Sequence, residues 1–410
     1  MHFGIHVAVF IIILSFLSHE ITRLVPEPFM DEIFHIRQAL QYFKGNWTEW
    51  DPMITTPPGL YILSVITLRL FGASGSVDNL RWLNVGIGVL ILFLARTIAK
   101  LTHKSFANER ALLIALLPNL LIYFGLYYTD AGSVLFCLLA YWSLIKGHNW
   151  LFMLSALISL TFRQTNIIWV AGFSIADRIC SEVKGDLRIL WYKRNLYYKE
   201  VLMSSSLLVL FAVGVYFNDG IALGDKGNHS VSLHLAQLFY CNTLIAVFCW
   251  PLLISFVSKL RVIPFLIITS LCYFSIRYGT IVHPYLLADN RHWTNFIWRR
   301  ALKHEFIRYA LVPIHSISIL LISEALMMNR GIIWLFGYFG VCCIVLIPSP
   351  LIEPRYFIIP FVFFILNCKI TLKKTIWIQI FVFFFINIFI IGMFLYRPFF
   401  NNDERQRRIW

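Results

Sequence analysis

Long apolar stretches separated by short polar segments run through the whole chain. A helix that crosses a membrane needs about 20 mainly apolar residues, and such stretches occur near residues 4–20, 82–99, 111–128, 131–146, 149–177, 201–217, 235–257, 262–280, 306–326, 331–348, 355–368 and 376–396. The longest stretch has room for two short spans. The pattern therefore predicts an all-α polytopic membrane protein, with residues 1–410 as a single integral membrane domain of about eleven to fourteen transmembrane helices.

Composition supports the membrane interpretation. Apolar residue types make up 59% of the chain, charged residues make up 14%, and the mean hydropathy is +0.72, whereas an average soluble domain is about 45–50% apolar. The run from Phe3 to Leu17 has no clear small-x-small cleavage site, so we expect a retained first helix. The apolar stretch from Pro57 to Gly72 is too short to span, and we predict a helix that lies along the membrane surface.

The net charge of +14 comes from basic residues dispersed between the apolar stretches. This distribution argues against a nucleic-acid partner and fits the positive-inside rule, by which cytosolic loops are enriched in Lys and Arg. The rule makes residues 177–200 a basic cytosolic loop. Alternation then places the predicted lumenal segments at 20–81, 218–233, 281–305 and 348–356, with the first lumenal loop being the longest.

The predicted lumenal segments contain two Asn-x-Ser/Thr sequons, at Asn46 and Asn228, which are candidate N-glycosylation sites. The helix count also puts residues 397–410 on the lumenal side, against the basic character of that segment. The topology predicted for this last segment therefore conflicts with its charge.

Cysteine and histidine spacing gives no sign of a metal or a disulfide framework. The eight cysteines lie in or beside apolar runs, where they behave as small apolar residues. The chain also has no P-loop and no Gly-rich dinucleotide motif. We therefore predict no bound cofactor, and any activated sugar donor has to come from the membrane.

An acidic pair, Asp31 and Glu32, follows the first predicted span directly. Carboxylates beside lipid are costly and therefore mark a candidate functional site. The alternative is that the pair consists of solvated loop charges or caps a helix.

Three further polar segments interrupt the apolar pattern on or near the predicted lumenal side. They begin at Arg163, His283 and Glu353. A carboxylate base, arginines that bind phosphate and aromatic faces that stack on sugars are the groups that sugar transfer from a lipid phosphate requires. Each has a plainer alternative: Arg163 paired with a carboxylate, Asp51 as a turn former before Pro52, Arg355 as an interface anchor, and Arg299 with Arg300 at lipid headgroups.

The polar segments resemble the lipid-linked-oligosaccharide alpha-1,2-glucosyltransferase family of the endoplasmic reticulum. The resemblance is carried by Pro-Glu-Pro-Phe-Met-Asp-Glu-Ile-Phe-His at 26–35, Trp-Asp-Pro-Met-Ile-Thr-Thr-Pro-Pro-Gly-Leu-Tyr at 50–61, Arg-Gln-Thr-Asn-Ile-Ile-Trp at 163–169, His-Pro-Tyr-Leu-Leu-Ala-Asp-Asn-Arg-His at 283–292 and Glu-Pro-Arg-Tyr at 353–356. These motifs occur in order along nearly the whole chain.

The resemblance implies a GT-C fold and an inverting transfer of glucose in the membrane of the endoplasmic reticulum, with the active site on the lumenal face. The donor is dolichyl phosphate glucose, and the acceptor is the diglucosylated dolichol-pyrophosphate-linked oligosaccharide, which receives its terminal alpha-1,2-glucose for protein N-glycosylation. The resemblance makes Asp31 the candidate base, with Glu32 as the fallback.

The resemblance also suggests ligand contacts. Arg291 and Arg355 would bind the donor phosphate, and Arg163 would contact phosphate or sugar. The remaining candidates for sugar hydroxyls or for orientation of the base are Asp51, Asn166, Asp289, Asn290, His292, Glu353 and Tyr356. No metal is demanded, because arginines offset the phosphate charge, although two lumenal acids leave Mg²⁺ or Mn²⁺ open.

The chain departs from the family pattern at Arg37, where relatives are expected to have proline. If this stretch is helical, the guanidinium lies near Asp31 and either stabilises its ionised form or helps to bind phosphate. The chain is also short for the family, and the shortening falls in the predicted cytosolic loops.

Two other functions stay open. One is a different lumenal GT-C enzyme that moves mannose or glucose onto another acceptor. The other is a transporter or a channel-associated membrane protein without chemistry, which would place its polar motifs in the middle of the membrane rather than in loops.

Overall fold

The computed structural model describes residues 3–103, 105–183, 194–401 and 404–410. Residues 184–193, which belong to the predicted basic loop, lie outside the described residues. The chain divides into two compact units, Met1–His229 and Ser230–Trp410. That residues 1–410 form a single membrane domain stays a prediction.

The described part of the first unit is built from nine α-helices. They are α1 Phe3–Leu24, α2 Glu32–Phe43, α3 Gly59–Leu70, α4 Val77–Thr102, α5 Ala107–Ala115, α6 Thr129–Lys146, α7 Asn149–Leu160, α8 Ser174–Val183 and α9 Arg194–Asn218. Short 3-10 or π turns lie between some of them, at Leu121–Phe124, Ile168–Phe173 and Lys226–His229.

The described part of the second unit contains ten α-helices and a small hairpin. The helices are α10 Ala236–Phe248, α11 Trp250–Leu253, α12 Val262–Gly279, α13 Pro284–Ala288, α14 Trp293–Ile297, α15 Glu305–Ala310, α16 Val312–Arg330, α17 Ile332–Leu346, α18 Ile358–Asn367 and α19 Lys373–Tyr396, with 3-10 or π turns at Ile254–Lys259, Trp298–Leu302 and Pro354–Phe357. The antiparallel strands β1 Phe399–Asn401 and β2 Glu404–Gln406 follow α19. The all-α prediction is confirmed for the membrane helices but did not include this hairpin.

Six helices of the described chain are long and apolar enough to cross a membrane, and a seventh span is formed if α10 and the bent segment after it are counted as one. This number is lower than the eleven to fourteen spans predicted. The other predicted spans coincide with helices that are shorter or interrupted, such as α17 and the pair α7 and α8. The protein is nevertheless a multi-pass membrane protein, as the apolar pattern predicted.

Local residue chemistry accounts for several helix ends. The Ser76 hydroxyl caps α4 by accepting the N–H of Asn79 at 3.2 Å. Gly331 has φ of +83°, a conformation that favours glycine, and it separates α16 from α17. A bend of 89° separates α10 from the next helical segment, where Pro251 cannot donate a backbone hydrogen bond.

Helix α3 corresponds to the predicted surface helix. Ile62, Ile66 and Leu70 follow one another at intervals of four residues and are 38%, 57% and 75% exposed. Residues that face the other way, including Leu60 and Val65, are buried. This two-sided pattern is typical of a helix that lies at a membrane surface, so the structure supports a peripheral position for α3.

The Pro57-Pro58-Gly59 sequence is explained by a close backbone approach. The Gly59 N–H donates to the Thr161 carbonyl oxygen at 2.8 Å. A Cβ at Gly59 would lie 2.2 Å from Thr161 Oγ1 and 2.7 Å from its carbonyl oxygen. Only glycine therefore allows the start of α3 to pack against the end of α7.

We expect Gly59→Ala to lower the stability of the protein by about 1–3 kcal/mol, because backbone atoms rather than a flexible side chain must move. Gly86→Ala within α4 is the matched control, since nothing lies within 4 Å of its added Cβ and alanine is the better helix former. Thermal unfolding in detergent checks both variants. Equal midpoints for the two variants would contradict the close-packing interpretation.

Candidate active site

Asp31 is the residue directly before α2, and its side chain is half-buried. Its backbone carbonyl accepts the N–H groups of Phe34 and His35, whereas its side chain makes no capping hydrogen bond. The preceding Met30 has φ of +53°, in the left-handed region, which turns the chain sharply before the helix. The Asp31 carboxylate therefore lies at the N-terminal end of α2, in a residue that is partly exposed.

Glu32 is completely buried and forms an ion pair with the equally buried Arg81 at 2.6 Å. Its two carboxylate oxygens accept four hydrogen bonds in all, from Arg81 Nε at 3.0 Å, Arg81 Nη2 at 2.6 Å, the Phe29 N–H at 2.9 Å and the Tyr127 N–H at 2.6 Å. Arg81 also donates to the backbone carbonyls of Val25 and Glu27. Glu32 therefore joins α2, α4 and the segment before α6, and its oxygens are occupied by protein donors.

The segment that supplies the Tyr127 N–H is itself fixed to α4. The Asn84 side-chain amide donates to three carbonyl oxygens, those of Tyr123 at 3.3 Å, Leu126 at 2.7 Å and Tyr128 at 2.8 Å. Asn84 is fully buried. Because α4 carries both Asn84 and Arg81, a single helix positions the Glu32 carboxylate and one of its backbone donors.

His35 lies one helical turn after Asp31 and contacts Tyr61 of α3. Its Nδ1 is 2.6 Å from the Tyr61 hydroxyl. Burial raises the pKa of Tyr61 well above its usual value, and the neighbouring Tyr127 adds to this effect. The hydroxyl therefore stays protonated, and the contact links the first turn of α2 to α3.

Asp51 makes the contacts of a turn former. Its Oδ1 accepts the Met53 N–H at 3.0 Å, and its own N–H donates to Gln38. The other carboxylate oxygen pairs with Arg37. The sequence suggested that the Arg37 guanidinium lies near Asp31. Instead it pairs with Asp51 in the loop that follows α2.

Arg163 is paired with a carboxylate, which is the alternative to the predicted contact with phosphate or sugar. Its Nη2 donates to Asp130 at 2.8 Å, and the two side chains are 15% and 2% exposed. Asn166 is fully buried, accepts a hydrogen bond from Ser133 at 3.0 Å and donates to the Ser159 carbonyl at 2.8 Å. These contacts hold α6 and α7 together, and a sugar contact of Asn166 stays a prediction.

In the second unit, Asp289 and Arg291 form a bidentate pair with N···O distances of 2.9 and 2.8 Å. Burial opposes the ionisation of Asp289, but the hydrogen bonds from Arg291 and the nearby His292 outweigh it, so the pKa of Asp289 lies below its usual value. Arg291 is 36% exposed, and Asn290 is half-buried between them. The pair presents an oriented, accessible guanidinium, which suits phosphate binding.

Glu353 and Arg355 form a second pair, with Arg355 Nη2 donating to Glu353 at 2.7 Å. Tyr356 is the half-buried residue that follows. The backbone before this pair is clamped by Gln237, whose amide donates to the carbonyls of Ser349 and Leu351. The segment that carries Arg355 is therefore held from α10.

His234 also holds the backbone at residues 349–351, by a hydrogen bond to the Pro350 carbonyl at 3.1 Å. Burial lowers the pKa of His234 to about 4, against backbone hydrogen bonds that raise it. The ring is therefore neutral, and its Nδ1 carries the proton that it donates.

Both sequon asparagines are exposed. Asn46 donates to Gln41 at 3.1 Å, and Asn228 donates to Asp225 at 2.7 Å. Their positions leave the side chains accessible for modification, which stays a prediction.

Sequence reasoning missed Arg81, Asp130, His234 and Gln237 as supports of the candidate residues. The sequence does carry a signal for Arg81 and Asp130, since each is a charged residue at the edge of an apolar stretch and needs a partner of opposite sign. It did not reveal which partner, because that depends on contacts 49 and 33 residues apart.

The helices define a polytopic membrane protein with polar sites near the ends of its spans. These sites contain the buried pair Glu32–Arg81 and the oriented pairs Asp289–Arg291 and Glu353–Arg355. The chain belongs to the DIE2/ALG10 family, whose model matches residues 25–188 and 187–366. The family resemblance drawn from the sequence motifs is therefore confirmed.

Relatives match over most of their length. Each of the following is named Dol-P-Glc:Glc(2)Man(9)GlcNAc(2)-PP-Dol alpha-1,2-glucosyltransferase: a protein of Rattus norvegicus, 35% identical over 84% of this chain and 85% of its own; one of Arabidopsis thaliana, 32% identical over 95% and 96%; and one of Homo sapiens, 32% identical over 95% and 94%. No solved structure matches the chain significantly.

Proposed function

We propose that the chain transfers glucose from dolichyl phosphate glucose to the diglucosylated dolichol-pyrophosphate-linked oligosaccharide, which adds the terminal alpha-1,2-glucose. The observation that carries the proposal is the match to relatives named for this reaction over 84–95% of the chain. The reaction takes place in the membrane of the endoplasmic reticulum, with the active site on the lumenal face. The membrane-spanning helices and the lipid-borne donor and acceptor support this location.

Asp31 is the catalytic base of the proposed reaction. Glu32 is fully buried and its two oxygens accept four hydrogen bonds from protein donors, so a substrate hydroxyl has no access to it. The half-buried Asp31 stands at the start of the same helix without a capping bond. The two neighbouring acids therefore have separate roles, Glu32 as a structural anchor and Asp31 as the group that accepts the proton.

The proposed step is one direct displacement with inversion. The acceptor 2-hydroxyl oxygen attacks the anomeric carbon of the donor glucose, and the bond from that carbon to the phosphate oxygen breaks. The electron pair leaves with dolichyl phosphate, and the hydroxyl proton passes to Asp31. Inversion of the beta-linked donor gives the alpha linkage without a covalent glycosyl-enzyme.

The negative charge of the leaving phosphate is offset by arginine. Arg291 and Arg355 are the proposed contacts, each oriented by a carboxylate two residues before it. Charge-assisted bonds from such guanidinium groups stabilise a phosphate leaving group. The proposed mechanism therefore requires no metal ion. Asn290, His292 and Tyr356 remain proposed sugar contacts beside these arginines.

Arg163 and Asp51 are proposed to position the first-loop site rather than to bind substrate. Arg163 is held by Asp130, and Asp51 closes the turn between α2 and α3. Both residues lie in the unit that carries Asp31, where they fix the segments that border the loop.

The experiment that tests the function is glucose transfer by purified full-length protein in detergent or nanodiscs. We expect transfer from dolichyl phosphate glucose to a synthetic diglucosylated lipid-linked acceptor, no transfer from dolichyl phosphate mannose, and the same rate in the presence of EDTA. Transfer of mannose instead would establish the alternative GT-C enzyme. No transfer from either donor by folded protein would overturn the enzymatic assignment, and loss of transfer with EDTA would overturn the metal-free mechanism.

A further inference from the structure

The segment after α19 folds back onto the loop that carries Arg291. The Ile409 N–H donates to the Arg291 carbonyl at 2.8 Å, and the Trp293 N–H donates to the Ile409 carbonyl at 2.8 Å. Arg407 is 5% exposed and donates to two carbonyls at the end of α19, both at 2.6 Å. These bonds give the segment a defined position against the loop and α14.

The docked segment places Arg408 in an aromatic setting. Its guanidinium carbon lies 4.2 Å from the ring centre of Phe399, 5.3 Å from that of Phe296 and 6.0 Å from that of Trp293. Ring faces attract a cation, but they do not satisfy its N–H groups. The Nε of Arg408 is buried and has no hydrogen-bond partner in the structure.

A second guanidinium lies around the same ring. The guanidinium carbon of Arg300 is 5.7 Å from the ring centre of Phe296. Burial lowers the pKa of Arg408, and the positive charge of Arg300 lowers it further. Among the described residues, no carboxylate forms an ion pair with either of these two arginines. Two positive charges thus share the Phe296 ring, and one of them carries a donor without a partner.

We propose that Arg300 and Arg408 form a binding site for a phosphate group, which a membrane lipid carries. A phosphate has three or more acceptor oxygens and accepts hydrogen bonds from two guanidinium groups at once. It offsets the repulsion between the arginines and supplies acceptors for the N–H groups of both guanidinium groups.

Exposed apolar side chains around the arginines favour a lipid over a soluble phosphate. Phe296 is 38% exposed, Ile297 is 41% exposed and Phe400 is 73% exposed. A phosphate attached to an acyl or polyprenyl chain would meet the arginines while its chain continues along these side chains. This site differs from the proposed donor-phosphate contacts, since neither arginine belongs to the Asp289–Arg291 or Glu353–Arg355 pair.

The test is a lipid-binding measurement on full-length protein by native mass spectrometry, without any transfer reaction. The probes are dolichyl phosphate, phosphatidylinositol, phosphatidylcholine as the zwitterionic control, and inorganic pyrophosphate as the soluble source. We expect the two anionic lipids to bind. Because dolichyl phosphate also meets the proposed donor-phosphate contacts, phosphatidylinositol is the readout for this site, and we expect Arg300→Gln and Arg408→Gln each to weaken its binding by about tenfold or more.

Arg299→Gln and Arg397→Gln are the matched controls. Both arginines are exposed. Arg299 precedes Arg300 directly and donates to the Leu287 carbonyl at 3.0 Å, and Arg397 lies just after α19, in the segment that leads to Arg408. Unchanged lipid binding in these controls supports a built site. Equal weakening in all four variants, or no weakening in Arg300→Gln and Arg408→Gln, would overturn it.

The remaining outcomes also decide the proposal. Pyrophosphate bound as tightly as the lipids would support the site and assign it to a soluble phosphate. If Arg408→Gln does not fold, Arg300→Gln, at an exposed position, still provides the measurement. Since binding is measured apart from transfer, an inactive but lipid-binding protein would refute the proposed function and not this site.

Discussion

Asp31→Asn is expected to lower the rate of glucose transfer by about 10²–10⁴-fold, the usual contribution of a positioned base. Asparagine keeps the size and polarity of the side chain but does not accept the proton of the acceptor hydroxyl. Asparagine suits the position directly before a helix as well as aspartate does, so the variant should fold like the wild type. Steady-state transfer by purified protein, with thermal unfolding as the check on folding, provides the measurement.

Glu27→Gln is the control, because Glu27 is an exposed carboxylate in the same first loop. We expect it to retain the wild-type rate. A second readout is the pH dependence of turnover, in which the fall in rate at acid pH should be present in the wild type and Glu27→Gln and absent in Asp31→Asn. A folded Asp31→Asn protein with the wild-type rate and pH profile would move the base to another residue.

The acidic pair shows how far the sequence leads and where it stops. Two adjacent carboxylates beside the first span marked the site, but no local feature of the sequence distinguishes the chemistry of one from that of the other. The two acids differ because Glu32 is bonded to the buried Arg81, 49 residues away, and to the Tyr127 N–H, 95 residues away. Pairings over such distances depend on how the helices pack and leave no local pattern.

Helix positions were easier to predict than helix continuity. Every predicted span contains helical residues, because apolar composition decides burial in lipid, although the span at 111–128 is helical only up to Ala115 and again at Leu121–Phe124. Interruptions come from contacts that composition does not encode. Between α7 and α8, for example, Arg163 donates a hydrogen bond to Asp130, and Asn166 accepts one from Ser133.

The segment 397–410 illustrates a conflict between two sequence rules. Counting spans placed it on the side predicted to be lumenal, and its arginines argued for the other side. The structure pairs Ile409 with the loop at 291–293, which is one of the predicted lumenal segments. Arg407 and Arg408 are used in local contacts there, so these two charges do not report on topology.

Removal of either partner of the Glu32–Arg81 pair is expected to destabilise the protein by about 3–5 kcal/mol, because the remaining charge is left buried and uncompensated. Neither side chain is exposed to solvent. Glu32→Gln turns an amide N–H toward donors that need an acceptor, and Arg81→Met leaves the carboxylate with two backbone donors only. Thermal or denaturant unfolding in detergent measures both effects.

The double variant Glu32→Gln with Arg81→Met should be less destabilised than the sum of the single variants, since no buried charge remains in it. Arg69→Met is the matched control, because Arg69 is exposed and donates to the Phe43 carbonyl at 3.1 Å, and exposed contacts of this kind contribute little. Additive single effects, or an equal loss of stability in Arg69→Met, would mean that the pair is not the anchor of the first loop. The assignment of Glu32 as a structural anchor, which separates its role from that of Asp31, would then fail.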